Sequence, residues 1–156
     1  MKFLADGMLG NVTRWLRLLG HDVEYEPLKA DSELILRSKL EDRVLLTADI
    51  ELFRLAKRRG LQAMLLKGES AAESLSKLSR KLQLSLVVDE LTSRCPKCGS
   101  ILTGVVKGSI KNKISDRTYQ TYDRFWICGN PGCAKIYWRG SHWRRIEQTL
   151  VRARET

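Results

Sequence analysis

The stretch FLADGMLGNVTRWLRLLG, residues 3–20, decides how the rest of the chain is read. Phe3, Leu4 and Ala5 form a short apolar run that ends in one carboxylate, Asp6, and Gly7 follows at once, a residue suited to a tight turn. Val12, Trp15, Leu16 and Leu19 then recur at i, i+3, i+4 and i+7, one face of a helix, and Gly20 stands where such a helix ends. The same alternation continues downstream. Apolar runs at 22–25 (DVEY), 43–47 (RVLLT) and 61–66 (LQAMLL) are separated by further helical patterns. Leu34, Ile35 and Leu40 mark a helix over 32–41. Leu52, Phe53 and Ala56 mark another, closed by Lys57-Arg58-Arg59-Gly60, and Ala71, Leu75, Leu78 and Leu82 mark a fourth. Repetition of strand and helix predicts an α/β fold with a mostly parallel sheet covered on both faces.

After about residue 90 the texture changes. Glycines, β-branched residues and aromatics dominate the runs at 101–107 (ILTGVVK), 118–127 (TYQTYDRFWI) and 135–139 (KIYWR), which read as a small antiparallel β module. Residues 107–117 read as an exposed polar loop, and 144–156 as either a short basic helix or a frayed end. The chain of 156 residues thus divides into an α/β domain, 1–90, and a C-terminal module, 91–156. The charge divides with it. Residues 1–92 hold 15 basic and 14 acidic residues, net +1, whereas 93–156 hold 13 and 4, net +9. A basic module on a nearly neutral one points to a polyanion, with nucleic acid ahead of a membrane surface because no basic amphipathic helix is evident. At 43% hydrophobic and 29% charged, with no apolar run of membrane-spanning length and no signal-peptide pattern, the expected location is cytoplasmic.

All four cysteines lie in the basic module, Cys95 and Cys98 in RCPKCGS and Cys128 and Cys133 in CGNPGC. Two close pairs beside glycine and proline suit a tetrahedral Zn²⁺ site, and four thiolates leave no open position, so the zinc is structural. Two disulfides are the competing arrangement, disfavoured in a cytoplasmic chain. Around the cysteines stand seven of the eleven aromatic residues, Tyr119, Tyr122, Phe125, Trp126, Tyr137, Trp138 and Trp143, interleaved with arginines. Rings that stack bases and guanidinium groups that pair phosphates suit single-stranded nucleic acid, which makes Arg124, Arg139, His142, Trp143, Arg144 and Arg145 candidate RNA contacts. A small aromatic core explains Phe125 and Trp138 equally well.

In a parallel α/β sheet ligands gather beyond the C-terminal strand ends. Those junctions carry Asp6, Asp31, Asp49 and, less convincingly, Glu69. Carboxylates converging there make a hard-oxygen site for Mg²⁺ or Mn²⁺, ions that activate water at a phosphodiester. Each acid also has a local explanation: Asp31 in ADSELIL and Asp49 in TADIELF fit helix N-caps, and Asp6 fits a turn. The agreement of three junctions, beside a basic module, favours the site. No G-x-x-x-x-G-K-[ST] loop, G-x-G-x-x-G fingerprint or G-x-S-x-G elbow is present. His21 and His142 have no partner in sequence for acid–base work, and the cysteines are committed to metal.

With these motifs in hand, FLADGMLGNVTRWLRLLGHDV, ADSEL and RVLLTAD, followed by RCPKCGS and FWIC…C…IYWRGSHW, the sequence resembles the Mut-seven C-terminal RNase family, a PIN-like nuclease domain fused to a zinc ribbon. The resemblance covers about residues 1–145. It implies a PIN-like α/β fold and metal-dependent RNA cleavage, with Asp6, Asp31 and Asp49 as acidic positions and Cys95, Cys98, Cys128 and Cys133 as zinc ligands, and the leading reading is an endonuclease of single-stranded RNA. It also makes Arg14 and Arg17, on the TRWLR helix, candidate phosphate contacts; periodicity alone makes them its solvent face. CGNPGC, with four residues between its cysteines, is a longer second knuckle than usual. The partner is RNA, with ribosomal RNA, the ribosome and tRNA as candidates. Two other classes fit in part. One is a non-catalytic RNA-binding or ribosome-associated factor on the same scaffold. The other is a receiver-like phosphoacceptor, which lacks here an adjacent acid pair and a companion lysine beyond Lys67.

Overall fold

A computed structural model describes residues 1–156. Four strands, β1 (Lys2–Asp6), β2 (Asp22–Glu26), β3 (Val44–Thr47) and β4 (Ala63–Leu65), form one sheet in the order β2-β1-β3-β4, every pair parallel. The two inner strands are apolar because both their faces are covered: Phe3, Leu4 and Ala5 are buried, as is all of Val44–Thr47. Edge strand β2, reading DVEYE, buries only Val23, which is why its signal in the sequence is weak.

Helices α1 (Gly10–Leu18), α2 (Asp31–Glu41), α3 (Ile50–Arg58) and α4 (Ala71–Leu82) link and follow the strands. Side chains of the inner strands point alternately to two cores. Phe3, Ala5, Val44 and Leu46 pack with Val12 and Leu16 of α1 and Leu75 and Leu78 of α4. Leu4 and Leu45 pack with Leu34 of α2 and with Leu52 and Ala56 of α3. Ser70 opens α4 with a reciprocal capping box to Glu73. Gly20 ends the α1 turn at φ +88°, and a Cβ there would stand 2.9 Å from Thr92 Oγ1, so glycine serves both the backbone and the close approach of a later segment.

That later segment leads into a second, antiparallel sheet, β5 (Leu102–Val105), β6 (Phe125–Cys128) and β7 (Ile136–Tyr137). Two of its features differ from the sequence reading. The polar stretch 107–117 is not a loop throughout: Lys107–Lys113 forms a 3-10 helix whose Ile110 is buried. Within 118–127 only Phe125 onward is strand. Asp116–Thr121 is a short helix, α5, because Ser115 caps it through the Thr118 N–H.

The last helix, α6 (Trp143–Glu155), returns from the small sheet to lie on α4, and its Leu150 and Ala153 complete the first core. The chain therefore crosses between the two layers twice. No helix is long and apolar enough to cross a membrane.

A second tie joins the layers at Arg17. Periodicity places it on the solvent face of α1, and the resemblance makes it a phosphate contact, yet it is buried. Its guanidinium donates to Val23 O (3.0 and 2.7 Å) and across the junction to Pro96 O and Lys97 O (3.4 and 3.1 Å) in the first cysteine knuckle. Burial pulls its pKa down, and Glu24, Cys98 and Cys95 pull the other way. A charge already satisfied by carbonyls is not offered to a phosphate. Arg17→Met should leave those acceptors unpaired and lower unfolding free energy by about 2–4 kcal/mol, read by urea titration. The salt slope of any RNA binding should stay unchanged. Arg14, exposed on the same helix, should show the reverse when replaced by Ala, with stability kept and the slope reduced by about 1.

Candidate active site and cysteine centre

The strand order 2-1-3-4 reverses between β1 and β3, which makes the C-terminal ends of these two strands the switch point where sheets of this kind bind ligands. Asp6 ends β1 there. Its Oδ1 accepts the Gly7 N–H at 2.6 Å, and its Oδ2 accepts the Thr47 hydroxyl at 2.9 Å from the end of β3. Thr47 is fully buried, and its Oγ1 also accepts the Asp49 N–H at 3.0 Å. One hydroxyl thus fixes both junctions to each other. Gly7 needs no left-handed backbone; a Cβ there would stand 3.2 Å from Pro27 O, so its role is to admit the β2–α2 loop. Tyr25 holds the same turn by donating its hydroxyl to Gly7 O.

Capping separates the other two acids. Asp49 is the N-cap of α3, with Oδ1 accepting the Glu51 and Leu52 N–H groups at 2.7 and 3.2 Å. Asp31 caps nothing: Ala30 holds the cap position of α2, and Asp31 is its first helical residue, exposed at the edge. Its pKa is raised, first by partial burial and then by the negative charges of Asp49 and Asp6. Asp31 therefore feels the charge of both other carboxylates, and none of the three forms an ion pair. The cations of this layer that form ion pairs take other acids: Arg37 pairs with Glu26, Arg43 with Asp22 and Glu41, and Lys77 with Glu69 at 2.7 Å. Glu69 thus has a structural partner that the three aspartates lack.

The thiols are gathered more tightly. Cys95, Cys98, Cys128 and Cys133 bring their Sγ atoms within 4.8 Å of one another, the single group of three or more Cys, His, Asp or Glu close enough to hold one ion as it stands. Cys95–Cys133 and Cys98–Cys128 are 3.8 and 3.3 Å apart, and no disulfide links them. Four sulfurs about 2.3 Å from a tetrahedral Zn²⁺ lie at such separations, so the residues fit structural zinc. Burial pushes the Cys128 thiol up to about 12, while hydrogen bonds from Ser100 hold Cys98 near about 6 against the upward pull of burial. The longer knuckle CGNPGC is accommodated by a turn in which Asn130 N donates to Cys128 Sγ (3.5 Å) and Ala134 takes φ +45°.

The description of one protein family, the Mut7-C RNAse domain, matches residues 1–150, nearly the whole chain. The chain belongs to this family. No curated protein and no solved structure matches it. The Mut7-C match points to a nuclease with RNA as its substrate, and it spans both layers, so the cysteine module is part of the family's domain.

Within the Mut7-C fold the expected residues separate into three places. Asp6, Asp31 and Asp49 share the sheet edge. Arg124, Arg139, His142 and Trp143 gather beside the junction of the layers, with Arg144 and Arg145 exposed on α6. Arg17 lies between the layers as a tie. Thr47, Tyr25 and Glu90 were not singled out from sequence. Thr47 had a local signal, standing two residues before Asp49 in LLTAD, whereas Tyr25 and Glu90 act on residues 18 and 34 or more positions away.

Proposed function

We propose that this chain is a metal-dependent, PIN-like endoribonuclease whose Asp6, Asp31 and Asp49 hold one or two Mg²⁺ or Mn²⁺ ions. The observation that carries the reading is the uncompensated trio of carboxylates at the strand-order reversal, in a chain of an RNase family. A divalent ion supplies there an activated water and charge neutralisation at the scissile phosphate. The protein's own part is placement. Thr47 holds Asp6 at the switch point, and the α3 amides hold one oxygen of Asp49. Asp31, with no internal bond, is free to turn toward a cation. The basic zinc module would hold single-stranded RNA in the cytoplasm, and the α/β part, 1–90, would cut it.

The test is incubation of protein freed of divalent ions at the acid site, zinc retained, with labelled single-stranded and structured RNA, with and without Mn²⁺. Cutting of single-stranded RNA that requires Mn²⁺ is expected. Salt-sensitive binding of varied RNAs, ribosomal RNA and tRNA included, with no Mn²⁺-dependent cutting, would select a non-catalytic RNA-binding or ribosome-associated factor instead.

Thr47→Val removes the hydroxyl that links Asp6 to the Asp49 amide while keeping the shape of the side chain. Loss of such a supporting bond costs roughly 10–100-fold in metal affinity or activity. A Mn²⁺ titration of cleavage should show it as a shifted half-saturation point, and an unshifted curve would remove Thr47 from the site.

A further inference from the structure

Where the cysteine module meets the α/β layer the structure leaves a cavity of about 230 Å³. Trp126 and Tyr137 reach it from neighbouring strands β6 and β7, Trp138 from just beyond β7, and Trp143 from the first turn of α6. Three of the chain's four tryptophans thus line one space. A core built only for stability closes around such rings, since protein interiors leave few voids larger than a water molecule. Here a space remains between them. Trp143 is fixed by its indole N–H, which donates to Glu147 at 2.8 Å.

The rim is cationic. Glu90 pairs with Arg124 and, at 2.8 Å, with Arg139. Arg124 also lies over the Trp126 ring, 5.3 Å from its centre, and Arg139 over Trp143 at 4.3 Å. One carboxylate therefore sets two guanidinium groups in place, each against an indole of the wall, with one positive charge left over. An apolar ligand gains nothing from that charge. A flat aromatic group carrying an anion uses both parts of the site.

We propose that this cavity receives one unpaired nucleobase of a single-stranded RNA, stacked on its tryptophan walls, with the adjoining phosphate on Arg124 and Arg139. The proposal rests on RNA being the substrate. It adds a place where the strand is anchored, distinct from the acids. Leu18, at the far end of α1, lines the cavity, while Asp6 lies just before the start of that helix. The length of α1, nine residues or about 13 Å, lies between them, so an anchored base sets which phosphate reaches the acids.

The experiment uses zinc-loaded full-length protein without added Mg²⁺ or Mn²⁺. Its tryptophan fluorescence is followed against a seven-nucleotide RNA and against a ribose-phosphate heptamer without bases. The RNA should quench and the baseless polymer should not. Trp143→Leu should lose roughly five- to hundred-fold in RNA affinity, while Trp143→Phe keeps most of it. If the Leu variant fails to load zinc, Arg139→Gln gives the second reading, with weakened RNA binding and quenching. The proposal is overturned if correctly folded Trp143→Leu, or Arg139→Gln in its place, binds RNA as the wild type does. It is also overturned if the baseless heptamer binds as well as RNA, or if n-hexanol quenches where nucleotides do not. Failure here is distinct from failure of the nuclease reading. Cleavage abolished by an Asp6 change with Trp143→Leu unaffected removes only the pocket. Base-dependent quenching without cleavage removes only the catalysis.

Discussion

Asp6→Asn protein is expected to bind single-stranded RNA as the wild type does and to cut it roughly 10²–10⁴-fold more slowly, the rate equivalent of the several kcal/mol that a positioned metal supplies. The substitution keeps the size of the side chain and removes its charge. The fold should respond little, because an amide oxygen still accepts the Gly7 N–H and the Thr47 contact can persist with its direction reversed, the amide N–H donating to Thr47 Oγ1. The divalent ion does have reason to respond, since Asp6 is the carboxylate that Thr47 links to the Asp49 junction. Single-turnover cleavage in saturating Mn²⁺, beside a filter-binding titration, separates the two effects. Full activity in purified Asp6→Asn protein, free of contaminating nuclease, would refute the assignment. Equal loss of binding and cleavage would place Asp6 in RNA contact instead.

The second large effect concerns the cysteines. Stripping zinc, or replacing Cys95 by Ser, is expected to unfold the small sheet and abolish RNA binding. The module has three strands and a core cluster of Cys95, Leu102 and Cys128, two of them ligands, and a core of that size does not hold alone. Apparent zinc-binding free energies of about 10–16 kcal/mol at neutral pH make metal and fold inseparable in such modules. Damage should also reach the first layer, because Arg17 loses its acceptors in the knuckle and α6 loses its approach to α4. Tryptophan fluorescence and thermal melting, with zinc measured at one per chain, read both consequences. The pH dependence has a fixed sign. Zinc needs thiolates, so stability drawn from the metal is present at neutral pH and lost as acid returns protons to the sulfurs. A zinc-free protein with an unchanged melting curve and native fluorescence would show that the metal is dispensable.

Much of this protein was legible before any coordinate. The inner strands announced themselves because a strand buried on both faces must be apolar throughout, as Phe3–Ala5 and Val44–Leu46 are. The four helices of the α/β layer followed from spacing, and the thiol cluster from two pairs of cysteines beside turn residues. The acids were legible as positions, since a chain-order rule places strand ends at one edge. Their local roles were not. Asp31 and Asp49 both look like caps in sequence, and only the backbone geometry shows that Asp49 caps α3 while Asp31 is left free.

What the sequence determined by itself, then, is whatever depends on neighbours along the chain: period, turn chemistry, metal-ligand spacing and the uneven charge. What tertiary structure alone decided depends on residues far apart in sequence. Arg17 reads as a surface cation until Pro96 and Lys97 arrive to bury it. Glu90 reads as a loop acid until Arg124 and Arg139 close on it. The basic tail reads as an optional helix until Leu150 and Ala153 enter the first core. The physical reason is the same in each case: burial and charge compensation are set by what folds against a residue, and local sequence carries no record of it.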